Sequence, residues 1–450
     1  MANVCVEAGG STSQLDGGVD APPSGIDAVV NGVDTSSNAA DAAIRLDVVA
    51  SGADADSART DASVDDPAGG VDAIKADADV APPRADASVE APATGADAIK
   101  ADADAGGVDL AAASLPFQAS NLASTDTTAL YIGGMLFNSD HCGSSTTATI
   151  NTDTGSVGCS LKDGVDYTFK KTTQADSSQV GLFLTKQMQI SRTVKISVSG
   201  SLPLVIVASD SVVILGTLYV PPGSAGGYSG VGPGDGNGPG AGTKRVSTSG
   251  AGASFCGKGG KGGVGTLTNS SGKVYAVPTV IPLIGGSSGG SLDTPGGSGA
   301  GGGAIQIISG GTFQLDATGA INVGGGGAGS RGGGGGSGGA ILIEALNANI
   351  AGTLAANGGG GSASTYFNSG GGSGTADAVP AHGEMGGDGS AGTVIDGGDG
   401  KSQNADDSYP GGGGGGAGVI RINSSTPSPI TTTAVISPAI GSGCASVGQL

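Results

Sequence analysis

Long glycine runs alternate with short strands rich in valine and isoleucine, and this alternation constrains the fold more than any other feature. Glycine accounts for 92 of the 450 residues. Residues 204–220, 304–323 and 340–356 each have the pattern strand, turn, strand, glycine and strand, with a glycine-rich run after them. A small repeated unit that cannot bury its own apolar face has to stack on its neighbours. The pattern therefore predicts an all-β fold, a β-solenoid that resembles a parallel β-helix.

The composition changes near residue 115. Residues 1–115 hold 21 of the 39 acidic residues but only 5 of the 19 basic ones, and the first aromatic residue is Phe117. Low hydrophobicity with high net charge does not offset the entropy of ordering a backbone, so this part is predicted to be a disordered acidic tether. The patterns that follow predict a strand-rich N-terminal part of the solenoid over 116–200 and glycine-rich repeats over 201–450.

Charge and hydrophobicity limit the classes of partner and the cellular locations that are expected for this chain. A formal net charge of −20 argues against nucleic acid, because binding phosphates requires Lys and Arg. No apolar run reaches the roughly 18 residues of a membrane-spanning helix. The first residues do not look like a signal peptide, although Cys5 is a candidate lipid-anchor site ahead of a polar spacer, with Val4 in a position that favours a small residue. We expect an extracellular or cell-surface protein.

Four cysteines in the strand-rich part are candidates for disulfides. They are Cys142, Cys159, Cys256 and Cys444, and four cysteines allow three pairings. An exported protein would use them in this way, and free thiols are the alternative. We predict that Cys142 pairs with Cys159, which is close in sequence.

Strand patterns begin after Phe117, and no long helical pattern accompanies them. Candidate strands lie at residues 130–132, 147–150, 167–169, 181–184, 188–190 and 194–198. The lack of helices excludes helix-rich α/β enzymes such as barrels and Rossmann domains. In the later repeats, Ile341 and Ile343 are expected to face inward and to stack on Ile305 and Ile307.

The glycine runs pose an energetic question. Residues 324–339 contain 12 glycines, and ordering a glycine costs roughly 0.5–1 kcal/mol more than ordering an alanine. Such runs either stay disordered as loops or pack together as extended strands that resemble polyproline II, where the missing Cβ permits close backbone contact. We expect packing in the runs that adjoin strands and mobility in residues 358–410.

Two stretches are similar to repeats of large glycine-rich bacterial surface proteins. They are Gly338-Gly-Ala-Ile-Leu-Ile-Glu-Ala345 and Ile350-Ala-Gly-Thr-Leu-Ala-Ala-Asn-Gly-Gly-Gly-Gly361. The chain resembles the polymorphic glycine-rich (PGRS-like) proteins over about residues 200–425. The resemblance implies a secreted or surface location, and it implies no established chemistry.

Motifs that could indicate catalysis or phosphate binding are weak. Ser287 and Ser337 lie in G-x-S-x-G matches, which a chain rich in glycine and serine produces by chance, and only His141 and His382 could act as the base that a serine hydrolase needs. The Gly-Lys401-Ser ending of a phosphate-binding loop lacks the first glycine of that motif and indicates a polar turn.

Metal ligands are also weakly indicated. Asp388, Asp396 and Asp399, with Asp406 and Asp407, lie in a glycine-rich loop and are candidate calcium ligands, although their spacing departs from that of a calcium-binding β-roll. His141 beside Cys142 could suggest zinc, but adjacent ligands do not have the usual spacing. No other cofactor is expected.

These patterns lead to a structural hypothesis and an enzymatic one. We favour a non-enzymatic secreted or cell-surface protein with a structural or adhesive role toward surface polysaccharide or envelope components. The alternative is a β-helical carbohydrate-active enzyme, a polysaccharide lyase or hydrolase, for which the charged residues of the repeats are Asp316, Glu344 and Arg421. A weaker third hypothesis is binding to ice or crystal surfaces by flat glycine-rich sheets.

Overall fold

A computed structural model describes residues 114–128, 133–244, 249–263, 270–292, 297–329, 331–363, 369–402 and 410–450. The predicted tether over 1–115, except its last two residues, lies outside this part, as do Cys5, the candidate strand at 130–132, and Asp406 and Asp407. What is described consists mostly of strands with almost no helix, arranged in parallel sheets without a closed barrel. The expected all-β class is confirmed at this level.

The described residues form fourteen strands, one 3₁₀ turn at Ser124–Asp126 and one helical turn, α1, at Ser139–Cys142. The strands are β1 (Gly134–Phe137), β2 (Thr147–Asn151), β3 (Thr168–Thr173), β4 (Gln179–Ile190), β5 (Lys195–Ser199), β6 (Leu204–Ile214), β7 (Thr217–Tyr219), β8 (Ala304–Leu315), β9 (Ala320–Asn322), β10 (Ala340–Ile350), β11 (Thr353–Ala355), β12 (Val419–Ser424), β13 (Val435–Ser437) and β14 (Ala445–Gly448).

From β4 onward the chain alternates between two sheets. The larger sheet has the order β1-β4-β6-β8-β10-β12-β14, with β3 also paired to β4, and the smaller has the order β13-β11-β9-β7-β5-β2. All the strand pairs are parallel except β3 with β4. Each long strand of the larger sheet is thus followed by a short strand of the smaller one.

An apolar core is formed by the inward side chains of both sheets. Ile341 pairs with Ile305 and Ile343 with Ile307, as the sequence analysis expected, and all four side chains are fully buried in this core. Alternate residues of a strand point to opposite faces, so Leu342 points outward.

The outward face of the larger sheet is buried as well. Leu342 belongs to a second apolar cluster, in which Leu122, Phe255 and Leu283 pack on this face from segments outside the sheet. Both faces are therefore covered in the first half of each long strand, which explains why stretches such as 204–208 and 340–343 are continuously apolar. The second halves alternate between buried and more exposed residues.

Segments rich in glycine pack against one another beside the strands. We call residues 250–260, 286–291, 299–303, 323–328, 332–339, 358–362 and 411–418 the glycine bundle. Within 334–339, successive backbone N–H groups donate to three neighbouring segments in turn, and the sequence of partners then repeats. The acceptors are Gly290, Gly413, Gly326, Ser287, Gly416 and Val323. A repeat of three residues is that of a polyproline II helix.

The glycine bundle leaves no room for side chains at many positions. A Cβ added at Gly334 would overlap the carbonyl oxygen of Ala251, and one at Gly336 would overlap that of Ala300. The run over 324–339 is thus packed in its described residues, as expected. The expectation of mobility over 358–410 is wrong for residues 358–363, because they are buried and donate backbone hydrogen bonds.

None of the helices in the described part of the chain has the length and apolar character needed to cross a bilayer.

Candidate functional site

The outward face of the smaller sheet presents two rows of mostly polar side chains across parallel strands. Ala320, Val435 and Ala355 are the apolar members, and Asn322, Ala355 and Ser437 are buried. In-register pairing places neighbours of a row on adjacent strands, which lie about 4.8 Å apart. The inward residues between the rows, such as Ile196, Leu218 and Ile321, belong to the core. The first row is Thr147, Lys195, Thr217, Ala320, Thr353 and Val435, and the second is Thr149, Ser197, Tyr219, Asn322, Ala355 and Ser437.

A groove of about 280 Å³ crosses this face where residues 373–376 run beside the sheet. Lys195, Thr217 and Tyr219 line it from the strands, and Ser373 and Thr375 line it from the neighbouring segment. The Lys195 ammonium lies 4.4 Å from the centre of the Tyr219 ring, a distance at which the ring attracts a cation. Cation, phenol and hydroxyl groups therefore converge on one groove.

Buried amides hold the segment that forms the groove wall. Asn322 Nδ2 donates to the Gly374 carbonyl at 3.2 Å, and Asn357 Nδ2 donates to the carbonyls of Thr375 and Asp377 at 2.9 and 2.8 Å. Asn322 is 6% exposed and Asn357 is fully buried. Because these bonds are shielded from water, the wall is fixed relative to the sheet.

Burial raises the pKa of Tyr219 above its usual value. Loss of hydration disfavours the charged phenolate. A tyrosine hydroxyl is already neutral at physiological pH, and the raised pKa of Tyr219 keeps it able to donate a hydrogen bond at higher pH as well.

Glu344, one of the charged residues considered for an enzyme, lies under a cover instead of on an open face. It is 2% exposed, and its carboxylate accepts bonds from the Ser120 N–H at 3.0 Å, the Ser120 hydroxyl at 2.7 Å and Gln306 Nε2 at 2.7 Å. Asn423 Nδ2 lies 3.4 Å away. These contacts tie residues around Ser120 to the outward face of the larger sheet.

Asp316 has other partners than Glu344, whereas Arg421 is linked to Glu344 through the side chain of Asn423. Hydrogen bonds from the backbone N–H and hydroxyl of Thr318, together with Arg192 at 3.3 Å, hold the pKa of Asp316 below its usual value. Arg421 donates to Asn423 at 2.7 Å and to Ser446 at 3.0 Å. The structure does not bring the three charged residues together in one acid–base arrangement.

The calcium candidates bond to backbone N–H groups of the chain. Asp388 accepts from Gly383 at 2.8 Å, while Asp396 and Asp399 accept from Lys258 at 2.8 Å and Lys261 at 2.7 Å. Within the described ranges, no three His, Cys, Asp or Glu residues are grouped so that they could hold a metal ion. The calcium assignment stays a prediction.

All four cysteine candidates lie in disulfides. Cys142 is bonded to Cys159, the pair the sequence analysis proposed, and Cys256 is bonded to Cys444, 188 residues away in sequence. The second bond links the glycine bundle to the residue that precedes β14. His141 contacts Asn138 at 2.8 Å through Nδ1.

The two G-x-S-x-G serines are buried within the glycine-rich packing. Ser287 Oγ donates to the Tyr275 hydroxyl at 2.9 Å, and Ser337 Oγ accepts from the Ser287 N–H at 2.9 Å. His382 lies 3.3 Å from Asp388. Both serines therefore take part in hydrogen bonds that hold neighbouring segments together.

The groove at Lys195 and Tyr219 was not predicted from the sequence. The alternation of Val194, Ile196 and Val198 does place Lys195 on the outward face. Nothing in the local pattern indicates that residues 373–376, far along the chain, form the opposite wall.

Neither family models, nor curated proteins, nor solved structures yield a match to this chain. The resemblance to PGRS-like proteins stays a prediction.

Proposed function

We propose that this chain is a non-enzymatic secreted or cell-surface protein with a structural and adhesive role toward polysaccharide. In this proposal the alternating strands are a β-solenoid, and the glycine bundle is a polyglycine-II-like support beside it. The outward polar face of the smaller sheet, with its groove, is the contact surface.

The observation that carries the proposal is the regular spacing of hydroxyl and amide groups on that face. Parallel in-register strands repeat every roughly 4.8 Å, so Thr147 and Thr149 on β2, Lys195 and Ser197 on β5, and Thr217 and Tyr219 on β7 lie on three successive strands. Sugar chains offer many hydroxyl groups that can donate and accept hydrogen bonds. A fixed polar surface binds such a chain without the entropy cost of ordering loops first.

The disulfides support an exported location. Two bonds among four cysteines, Cys142–Cys159 and Cys256–Cys444, are typical of proteins from oxidising compartments, because cytosolic reductants keep thiols reduced.

The enzymatic alternative makes a different demand on the structure. Glycoside hydrolysis generally uses two carboxyl groups that flank the bond to be cleaved, so those groups have to reach the substrate. Glu344 is covered by residues around Ser120 and accepts three hydrogen bonds from two neighbours, Ser120 and Gln306. This arrangement favours a stabilising role for Glu344.

A polysaccharide panel tests the proposal directly. The purified disulfide-bonded chain is passed over immobilised neutral and acidic polysaccharides, and soluble reducing ends and unsaturated products are measured in parallel. Retention without product formation supports the adhesive role. Product formation that survives Glu344→Gln points to a catalytic site elsewhere, and product formation that this change abolishes identifies Glu344 as catalytic; either result overturns the proposal.

Location needs a separate measurement. Intact cells that produce the protein are treated with a protease that cannot enter them, and peptides from residues 116–450 are quantified by mass spectrometry. We expect the released peptides to include this region, or the intact chain to be found in the medium. Full protection in intact cells, lost on lysis, would contradict a surface or secreted location.

A further inference from the structure

We propose that the groove between the smaller sheet and residues 373–376 binds a carboxylate-bearing sugar unit, a uronate, within an acidic polysaccharide. Lys195 binds the carboxylate, and the hydroxyl groups around it bind the sugar. This inference rests on the proposed adhesive function and specifies its ligand.

The charge of Lys195 is the first argument. Its ammonium lies over the Tyr219 ring at 4.4 Å, and within the described residues its ammonium forms no ion pair with a carboxylate. The attraction between the ammonium group and the face of the aromatic ring orients the cation, but it leaves the N–H donors able to bind an anion. A bound carboxylate would make the charge-assisted hydrogen bond that the chain itself does not supply.

The hydroxyl groups around Lys195 supply the contacts that a sugar needs. Thr217 and Tyr219 approach from the sheet, and Ser373 and Thr375 from the wall. Thr375 Oγ1 also donates to Asp377 at 3.0 Å, and the other oxygen of that carboxylate accepts from the Val379 N–H at 2.9 Å. These bonds engage Asp377 within its own turn, although it directly follows the groove-lining residues 373–376.

The size of the groove sets how much of the polymer it holds. Its volume of about 280 Å³ is just below the roughly 300–1,000 Å³ of pockets for drug-sized ligands. We assign it about one sugar unit, with the rest of the chain running along the polar rows. Tight attachment then requires several such contacts in parallel, because linked weak sites gain avidity.

The wall is fixed before a ligand arrives. Asn322 and Asn357 bond to the backbone at Gly374 and Thr375, and the Gly374 N–H donates to the Gly325 carbonyl at 2.8 Å. A fixed wall lowers the entropy cost of binding. It also makes exposed side chains in the groove replaceable without loss of the fold.

Calorimetric titration with an oligogalacturonide and with a neutral galacto-oligosaccharide of equal length tests the assignment. We expect the oligogalacturonide to bind more tightly, and Lys195→Met to weaken it at least about tenfold, since hydrogen bonds to charged groups are worth more than neutral ones. Lys195→Arg should retain binding, and raised salt should weaken it in the wild type.

Lys186→Met is the matched control, because it removes the same charge from an exposed position on β4 of the larger sheet. It should bind the oligogalacturonide like the wild type. Tyr219→Leu, which removes the ring under Lys195, should weaken binding by a smaller factor than Lys195→Met. Unchanged melting temperatures establish that the variants are folded.

Three results would overturn the inference: equal affinity for both oligosaccharides, no effect of Lys195→Met, or an equal loss with Lys186→Met. If the chain is nevertheless retained on polysaccharides in the panel, the adhesive function stands and only the uronate groove fails. If it is retained on none and is protected inside intact cells, the proposed function fails as well.

Discussion

The sheets and the glycine bundle both bury backbone, but the space around that backbone is filled in opposite ways. In the sheets, Ile305, Ile307, Ile341 and Ile343 fill the space between backbones. In the glycine bundle the backbones themselves are in contact, and Gly334 has the carbonyl of Ala251 where a Cβ would be. One chain can therefore bury its backbone either with side chains or without them, provided that every N–H finds a carbonyl.

The free-energy cost of ordering the glycine runs is to be compared with the contribution of their backbone hydrogen bonds. Each ordered glycine costs roughly 0.5–1 kcal/mol relative to alanine, while a backbone hydrogen bond contributes about 0.5–1.5 kcal/mol net. Each residue in 334–339 donates one such bond. The two contributions are of similar size, so the bundle is stable only where nearly all of its backbone groups are paired.

The largest expected effect falls on the core between the sheets. Ile343→Asp removes a fully buried side chain and leaves an unpaired charge, which we expect to cost more than about 5 kcal/mol. Asn349→Asp places the same charge on an exposed residue of the same strand and should change stability little. Thermal and urea unfolding monitored by circular dichroism compare them; similar stabilities would contradict the packing of Ile343.

The two disulfides should differ because one is local and the other joins the two regions. Loss of Cys256–Cys444, with a sequence separation of 188, is expected to cost about 5 kcal/mol, against about 3 kcal/mol for Cys142–Cys159 with a separation of 17. Paired Cys→Ser variants are compared by urea unfolding. Intact mass after alkylation without reductant should show no free thiol among these four; labelled thiols would contradict the pairing.

The packing of the glycine bundle is tested by making the same Gly→Ser substitution at two different positions. Gly334→Ser puts a Cβ into the Ala251 carbonyl, whereas the nearest atom to a Cβ at Gly372 is 3.4 Å away, in ordinary contact. We expect Gly334→Ser to cost about 3 kcal/mol and Gly372→Ser to cost much less, by thermal melting. Equal melting temperatures for the two variants would mean that the run at 334 is not packed.

A smaller effect is expected where the glycine bundle contacts the cover of the larger sheet. The Tyr275 hydroxyl donates to the Gly285 carbonyl at 2.7 Å and accepts from Ser287 at 2.9 Å. Tyr275→Phe leaves both groups without this partner and should cost about 1–2 kcal/mol near neutral pH, measured by urea unfolding.

The pH dependence of that difference sharpens the test. Burial raises the pKa of Tyr275 well above its usual value, so the neutral phenol stabilises the folded state below about pH 10, the pKa of an unfolded tyrosine. This contribution is lost as the pH rises above that value. The wild type should therefore lose its advantage over Tyr275→Phe between about pH 10 and 12, and a constant difference would contradict the assignment.

Sequence reasoning was most successful where neighbours in sequence are neighbours in space. Candidate strands near β2, β4 and β5 and the inward face of Ile341 and Ile343 follow from a period of two residues. It failed for residues 358–363, where composition suggested mobility, because hydrogen bonds to distant glycine segments order them. The local sequence pattern predicts order only in elements that bury their own side chains.

The all-β class and the inward residues of the repeats follow from the amino-acid sequence alone, because the hydrophobic period of a strand acts locally. Only the tertiary structure decided that Glu344 is covered, that Cys256 bonds to Cys444, and that residues 373–376 form a groove with Lys195 and Tyr219. These depend on segments that are distant in sequence and are held together by side-chain hydrogen bonds or a disulfide, which no local pattern encodes.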